Sequence, residues 1–312
     1  MSEPTRTIEG ANMNTQTAEP GENTPFIKSA AILIRSRLEP LSGWSWNTAA
    51  ACFIAGRGSP PLIPSLLAVV SMILIALSVY IYNDVVEAEK DKMNPHKKNR
   101  PLPSGVVSQK DALSLVYLSG ICGLVILFLV NVYSFVCGLA YFGVLIAYSH
   151  PETCLKKRFP LKEAILALCF PLTSLVGIYA VNSFAAHAFF AGCAVGFLVY
   201  MMEPVIADST DIEEDQSAGV KTLASVLTWK GRVRMFVVGP VILTAALLIA
   251  YNLLGFNNVV PIYAVVGGII FLGYLIPKMR TFEKEVVQRA RNAAHLYFIL
   301  LQVSFIVGSV QF

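Results

Sequence analysis

Of 312 residues, 55% are hydrophobic and only 14% are charged, and the mean hydropathy is +0.61. Soluble domains carry about 25% charged residues, so too few are present here to clothe a water-exposed surface. The small net charge of +4, with no basic patch interleaved with aromatics, speaks against a nucleic-acid partner. The chain is expected to lie in a lipid bilayer.

Residues 1–27 are polar, without apolar periodicity and without the apolar stretch of a secretory signal peptide. They are expected to form a disordered cytosolic tail, and residues 28–312 a single intramembrane domain. Apolar runs then recur at about 41–56, 62–83, 112–131, 133–149, 163–181, 184–207, 235–254, 259–277 and 293–311. Each approaches the roughly 17–25 residues that a bilayer-spanning helix needs. The expected fold is all-α, a polytopic membrane bundle of about nine helices. The first span is the shortest and is interrupted by Gly43; it is read as starting no later than 41, with Ile32 as an alternative start.

Lys and Arg alternate between connections. They crowd the segments after the second, fourth, sixth and eighth spans, while the third, fifth and seventh connections have none. The positive-inside rule then places the N-terminus and the basic segments in the cytosol. Five of the six cysteines lie in apolar runs, and no two form a C-x-x-C pair, as expected of thiols packed among helices. His187, inside an apolar run, reads as a hydrogen-bonded packing residue, and neither it nor His150 has metal-ligand spacing.

Two stretches carry the chemistry. Asp84, Glu87 and Asp91 close the second span at steps of three and four; Asp208, Asp211 and Asp215 close the sixth with the same steps. Residues three and four apart share a helix face, so each set reads as an acidic stripe. Carboxylates at the end of an apolar helix are costly and point to function. Both stripes lie beside basic segments holding Lys97, Lys98, Arg100 and Lys221. Mg²⁺ takes oxygen ligands from one or two carboxylates plus substrate phosphates. Two facing stripes are therefore expected to grip a diphosphate through bridging cations.

The pattern NDxxExxxD (Asn83–Asp91) followed by NRPLPSG (Asn99–Gly105), and DxxDxxxD (Asp208–Asp215) followed by AGVKT, resemble the two signatures of the UbiA superfamily of intramembrane prenyltransferases. The resemblance covers about residues 28–312, with Glu87 standing where many members have Asp. It implies a bundle around a central cavity with a cytosolic cap, and Mg²⁺-dependent ionisation of an isoprenyl diphosphate. The prenyl group would pass to an aromatic or other lipophilic acceptor; the alternative is a terpene cyclase of the same superfamily, which needs no acceptor. The resemblance implies Asp84, Asp91, Asp208 and Asp211 as catalytic, and all six stripe carboxylates, Glu87 and Asp215 included, as metal ligands. Asn83, Arg100, Tyr148, Lys157, Arg158 and Lys221 would bind substrate, Tyr148 and the basic pair belonging to the segment YSHPETCLKKRFP.

Arg35 and Arg37 stand where members often carry an arginine that orients an acidic aromatic acceptor, although IRSRLEP departs from the usual Arg-Pro pairing. Tyr80, Tyr141, Phe170, Phe197, Tyr200, Met201 and Met202 are candidates for an apolar wall around an allylic cation. A transporter would place ionisable groups near the bilayer midplane, whereas these lie at helix ends.

Overall fold

The computed structural model describes residues 25–181, 184–217 and 219–310. The expected N-terminal tail therefore lies, up to residue 24, outside the described residues. Twelve α-helices follow one another: α1 (Phe26–Ser36), α2 (Leu38–Ala55), α3 (Leu62–Lys92), α4 (Gln109–Val130), α5 (Val132–Ser149), α6 (Leu161–Val181), α7 (Ala186–Ile206), α8 (Ile212–Ser217), α9 (Leu223–Val226), α10 (Trp229–Ala250), α11 (Val259–Leu275) and α12 (Lys284–Ser309). No strand occurs among the described residues. Nine of the helices are long, and eight of those are long and apolar enough to cross a membrane. The ninth, α2, falls short of that because it carries Trp44, Trp46, Asn47 and Thr48. These polar groups face protein: Asn47 and Thr48 are buried.

The lipid-facing side of the bundle is apolar, with Leu129 and Ile249 each 76% exposed and Ile269 67% exposed. This is the surface a bilayer demands, since backbone polar groups are satisfied inside the helices and only side chains meet lipid. Inside, helices approach closely through small residues. A Cβ on Gly192 would fall 2.2 Å from Ser174 Oγ, and one on Gly196 2.4 Å from the Ala167 carbonyl. These two glycines, four apart on α7, let it lie directly against α6. Polar side chains add pairings across helices. Asn47 Nδ2 donates to the Phe170 carbonyl (3.0 Å) and Thr173 Oγ1 (2.8 Å), and Gln302 Nε2 donates to Asn47 Oδ1 (2.7 Å). That network joins α2, α6 and α12.

Two apolar cores result. One gathers residues of α1–α6 with the segment at Leu102 and Val107; the other gathers α7 and α10–α12, joined by Ala51, Ile54 and Ile178. The helices alternate in direction, so the segments 93–108, 150–160, 207–228 and 276–283 lie at one end. The connections at the other end are shorter. There Arg57 Nη1 donates to the Gly255 carbonyl (2.7 Å), tying two of them together.

Local chemistry fixes the helix ends. Ser108 Oγ caps α4 by accepting from Asp111 N (3.0 Å), and Asn131 Oδ1 caps α5 by accepting from Tyr133 N (2.7 Å). The expected first span at 41–56 is α2; the alternative start at Ile32 is not continuous with it, because the chain breaks at Arg37 (φ −121°, ψ 12°) and Ile32 belongs to the separate α1. The expected packing role of His187 is met, its Nε2 lying 2.9 Å from the Ile54 carbonyl. The six cysteines are free.

Candidate active site

Helix α3 has 31 residues, about 46 Å at 1.5 Å per residue, whereas the hydrocarbon core is about 30 Å thick. From Leu62, some twenty residues cross that core, so the turns from Asp84 to Lys92 emerge at the end with the long connections. The 3-then-4 spacing holds here: Asp84, Glu87 and Asp91 all lie on one unbroken helix, with Asp84 and Asp91 buried.

The second set differs. Pro204 lies in the last turn of α7, where its ring removes a backbone donor, and the helix ends at Ile206. Asp208 begins a 3-10 turn (Asp208–Thr210), Asp211 follows it, and Asp215 belongs to the short α8. The expected continuous stripe is thus a broken turn, which buries Asp208 and leaves Asp211 exposed with its Oδ1 accepting from Thr210 Oγ1 (2.9 Å). Two arginines hold that turn. Buried Arg232 donates from Nη1 to Ser209 Oγ (2.7 Å), and Arg291 donates from Nε to the Ile206 carbonyl (2.6 Å).

Each first-motif carboxylate has a basic partner. Arg37 makes a two-pronged contact with Asp84, Nε to Oδ2 at 2.8 Å and Nη2 to Oδ1. Arg100 Nη1 donates to Asp91 Oδ2 (2.9 Å). Lys156 Nζ donates to Glu87 Oε1 (2.6 Å) and Asn83 Oδ1 (3.0 Å), while Asn83 Nδ2 donates to Glu87 Oε2 (3.0 Å). Burial, and then the neighbouring Arg100 charge, lower the Arg37 guanidinium from its ordinary value; an arginine still remains protonated. In the second motif one cation serves two carboxylates, Lys162 Nζ donating to Asp208 Oδ1 (2.8 Å) and Asp215 Oδ2 (2.7 Å). Asp208 Oδ2 is buried without a partner.

The two motifs meet at one mouth. Lys97, from the segment after α3, pairs with Glu214 in α8. Partial burial alone would raise the Glu214 carboxyl, but the Lys97 hydrogen bond and charge bring it below its ordinary value. From the segment 150–160 the site takes Lys156, and from the start of α6 it takes Lys162; Lys157 and Arg158 are exposed. Tyr148 lies beneath Lys156, whose Nζ is 6.0 Å from its ring centre, and Lys221 Nζ sits 5.2 Å from the ring centre of Phe159. Arg35 is exposed.

A cavity of about 150 Å³ opens between Arg37, Asp84, Asp91 and Arg100. One turn deeper on both α3 and α7 lies a chamber of about 400 Å³, reached by Tyr80, four residues before Asp84, and by Glu203, five before Asp208. Trp44, Phe170 and Phe298 contribute to its wall. Of the aromatic candidates, Tyr80 and Phe170 line the chamber, whereas Tyr141 and Met202 are buried in the two cores. Sequence reasoning missed Glu203. Its signal was available, an isolated carboxylate inside the apolar run 184–207.

The donor set fits Mg²⁺ in one particular way. Among the described residues no three acidic, His or Cys side chains close into a metal cage. Carboxylates of both motifs nevertheless lie at the same end of the bundle, and Asp208 Oδ2 is a buried acceptor with nothing to accept from among the described residues. That suits an ion held by a few carboxylates and completed by ligand phosphate oxygens and water.

A model of the UbiA prenyltransferase family matches residues 45–301. Digeranylgeranylglyceryl phosphate synthase of Thermococcus kodakarensis is 28% identical over 265 residues, covering 82% of this chain and 90% of that protein. The 4-hydroxybenzoate octaprenyltransferase of Vesicomyosocius okutanii is 29% identical over 182 residues, 57% of this chain and 64% of its own. Among solved structures, one of digeranylgeranylglyceryl phosphate synthase superposes with a TM-score of 0.72 at 21% identity, covering 93% of this chain and all of the other. A UbiA homologue from Archaeoglobus fulgidus, bound to DMAPP and Mg²⁺, superposes with a TM-score of 0.63 at 15% identity, covering 89% of this chain and 99% of the other. With the family model spanning most of the sequence and the same fold in these neighbours, the chain belongs to the UbiA prenyltransferase family and is a multi-pass membrane prenyltransferase of that type.

Proposed function

We propose that the mouth binds an isoprenyl diphosphate with Mg²⁺ and that the prenyl group is transferred to a lipophilic acceptor reached through the chamber. The observation that carries this reading is the meeting of both acidic motifs at one opening, linked by the Lys97–Glu214 pair, directly above an aromatic-walled chamber. The Archaeoglobus fulgidus homologue of the same fold, bound to DMAPP and Mg²⁺, supports the choice of donor and ion.

Asp84, Glu87, Asp91, Asp208, Asp211 and Asp215 are the proposed metal ligands, with Asp208 Oδ2 offering an oxygen that no protein group engages. Bound there, Mg²⁺ supplies Lewis-acid stabilisation of the charge that develops on the departing diphosphate. Arg100, Lys156 and Lys162 add fixed positive charge beside it, Asn83 orients Lys156, and Tyr148 sits below that lysine. Lys157, Arg158 and Lys221 lie on the rim, where their proposed part is to draw the diphosphate in. The chamber walls exclude water from the allylic cation, and their aromatic faces favour positive charge. A cytosolic mouth is part of the proposal, supported by the basic segments at this end through the positive-inside rule, and protease access to an N-terminal tag in sealed vesicles tests that orientation.

The function is tested by incubating the purified protein with Mg²⁺ and isoprenyl diphosphates of several lengths, with and without acceptors, and analysing the organic extract. Prenylated acceptor is the expected product. A cyclic hydrocarbon or alcohol formed without acceptor would assign the chain to the superfamily's cyclases instead. Diphosphate that stays intact under every condition would refute the assignment of the mouth.

A further inference from the structure

The chamber beneath the mouth carries an unusual charge pattern. It is lined by two carboxylates, Glu39 and Glu203, together with His295 and Gln302, and by no lysine or arginine. The nearest cations on the mouth side are already engaged. Arg37 forks onto Asp84, Lys162 bridges Asp208 and Asp215, and Arg291 donates to the Ile206 carbonyl. Among the described residues Glu203 makes no side-chain hydrogen bond, and the buried Trp46 Nε1, on the same chamber wall, is a donor without an acceptor.

An anionic acceptor entering this space would be desolvated with no lysine or arginine on the lining to pair with it, which disfavours the charged form. A hydroxyl, which both donates and accepts, matches a carboxylate and an unpaired indole N–H. Glyceryl phosphate and hydroxybenzoate, the acceptors in the names of the relatives, both carry negative charge. The lining of this chamber offers no lysine or arginine to such a charge.

Resting on the prenyltransferase reading above, we infer that the chamber takes an uncharged, hydroxyl-bearing lipophilic acceptor and that Glu203 receives its proton. In the step, the allylic C1–O bond of the donor breaks and its electron pair leaves with the diphosphate. The acceptor oxygen bonds to C1, and the hydroxyl proton passes to the Glu203 carboxylate. The position of Glu203 suits this role: it lies five residues before Asp208 on the same chain, so the proton acceptor is one turn deeper than the leaving group.

The test uses the full-length protein in lipid nanodiscs with Mg²⁺, an isoprenyl diphosphate and matched acceptors: 4-hydroxybenzoate against 4-hydroxybenzyl alcohol, and a glyceryl ether phosphate against the same glyceryl ether without phosphate. The uncharged member of each pair is expected to react with at least about tenfold higher kcat/KM, because the anion would have to be buried without a cationic partner. Glu203→Gln should lower kcat with the uncharged acceptor roughly 10²-fold, the usual contribution of a positioned base. Glu203→Lys should narrow or reverse the preference within each pair. Diphosphate binding to each variant, measured by calorimetry, reports whether the mouth is still folded. A preference for the anionic acceptors, or wild-type kcat in Glu203→Gln, would overturn the inference and leave the transferase reading standing. Cyclised product without acceptor, or no cleavage of the donor by the wild type, would overturn both.

Discussion

The two acidic motifs repeat the same spacing, yet the protein builds them differently. On α3 the carboxylates ride an unbroken helix, and each has its own basic partner: Arg37 for Asp84, Lys156 for Glu87 and Arg100 for Asp91. After α7 the chain breaks at Pro204, Lys162 alone serves Asp208 and Asp215, and Asp208 Oδ2 has no partner. The first motif is charge-compensated by the protein itself, whereas the second is left short of positive charge. An incoming cation therefore has most to gain at the second motif. In the proposed reading, the first is a firm wall against which a diphosphate would be oriented.

The largest effect expected from that contrast is on turnover. Asp208→Ala should lower kcat by roughly 10³-fold, because it removes a proposed ligand of the Mg²⁺ that would stabilise the negative charge developing on the diphosphate. Asp211→Ala, altering an exposed side chain already engaged by Thr210, should cost less. Steady-state diphosphate release reads both. Equal losses would mean that the burial of Asp208 has no part in the chemistry.

Removing the shared cation should affect stability next. Lys162→Met leaves two carboxylates without their cation, and breaking a buried pair in this way costs about 3–5 kcal/mol. Mg²⁺ should restore more of the thermal midpoint in this variant than in the wild type, since it replaces the missing charge. Lys156→Met should cost less, roughly 1–3 kcal/mol, because Asn83 still donates to Glu87, and Mg²⁺ should rescue it less. Thermal scans with and without Mg²⁺ decide between these outcomes.

The smallest effect concerns the link between the motifs. Lys97 holds the Glu214 carboxyl below its ordinary value. A carboxyl lowered on folding contributes stability that is present above its unfolded pKa, about 4.3, and is lost as pH falls through the lower folded value. Glu214→Gln should therefore cost up to about 1 kcal/mol at pH 7. Its difference from wild type should shrink as the medium is acidified below pH 4. A difference that grows on acidification would contradict the pairing.

Much of this was readable in the sequence, and what was not has a physical reason. Apolar runs of about the length a bilayer demands, and basic residues in alternate connections, define the bundle and the end that carries the mouth. The 3-then-4 spacing predicts the face of α3 correctly, because nothing in residues 84–91 interrupts a helix. The same spacing fails after α7, where Pro204 and the turn at Asp208 outweigh the periodicity. Which lysine meets which carboxylate was not legible: Lys156 reaches Glu87 across 69 positions and Lys162 reaches Asp208 across 46. Lys156, Lys157, Arg158 and Lys162 look alike until the segment between α5 and α6 is folded. The break between α1 and α2 has a signal in Pro40, which lacks the N–H to bond the Ser36 carbonyl and whose ring would clash with it in a continuous helix.

The claim that both acidic motifs form one site is tested most directly by calorimetric titration of inorganic diphosphate into the purified protein, with and without Mg²⁺. The account predicts a single Mg²⁺-dependent binding event that is lost in Asp84→Ala and in Asp208→Ala alike. Unchanged affinity in either variant, or tight binding without Mg²⁺, would contradict it.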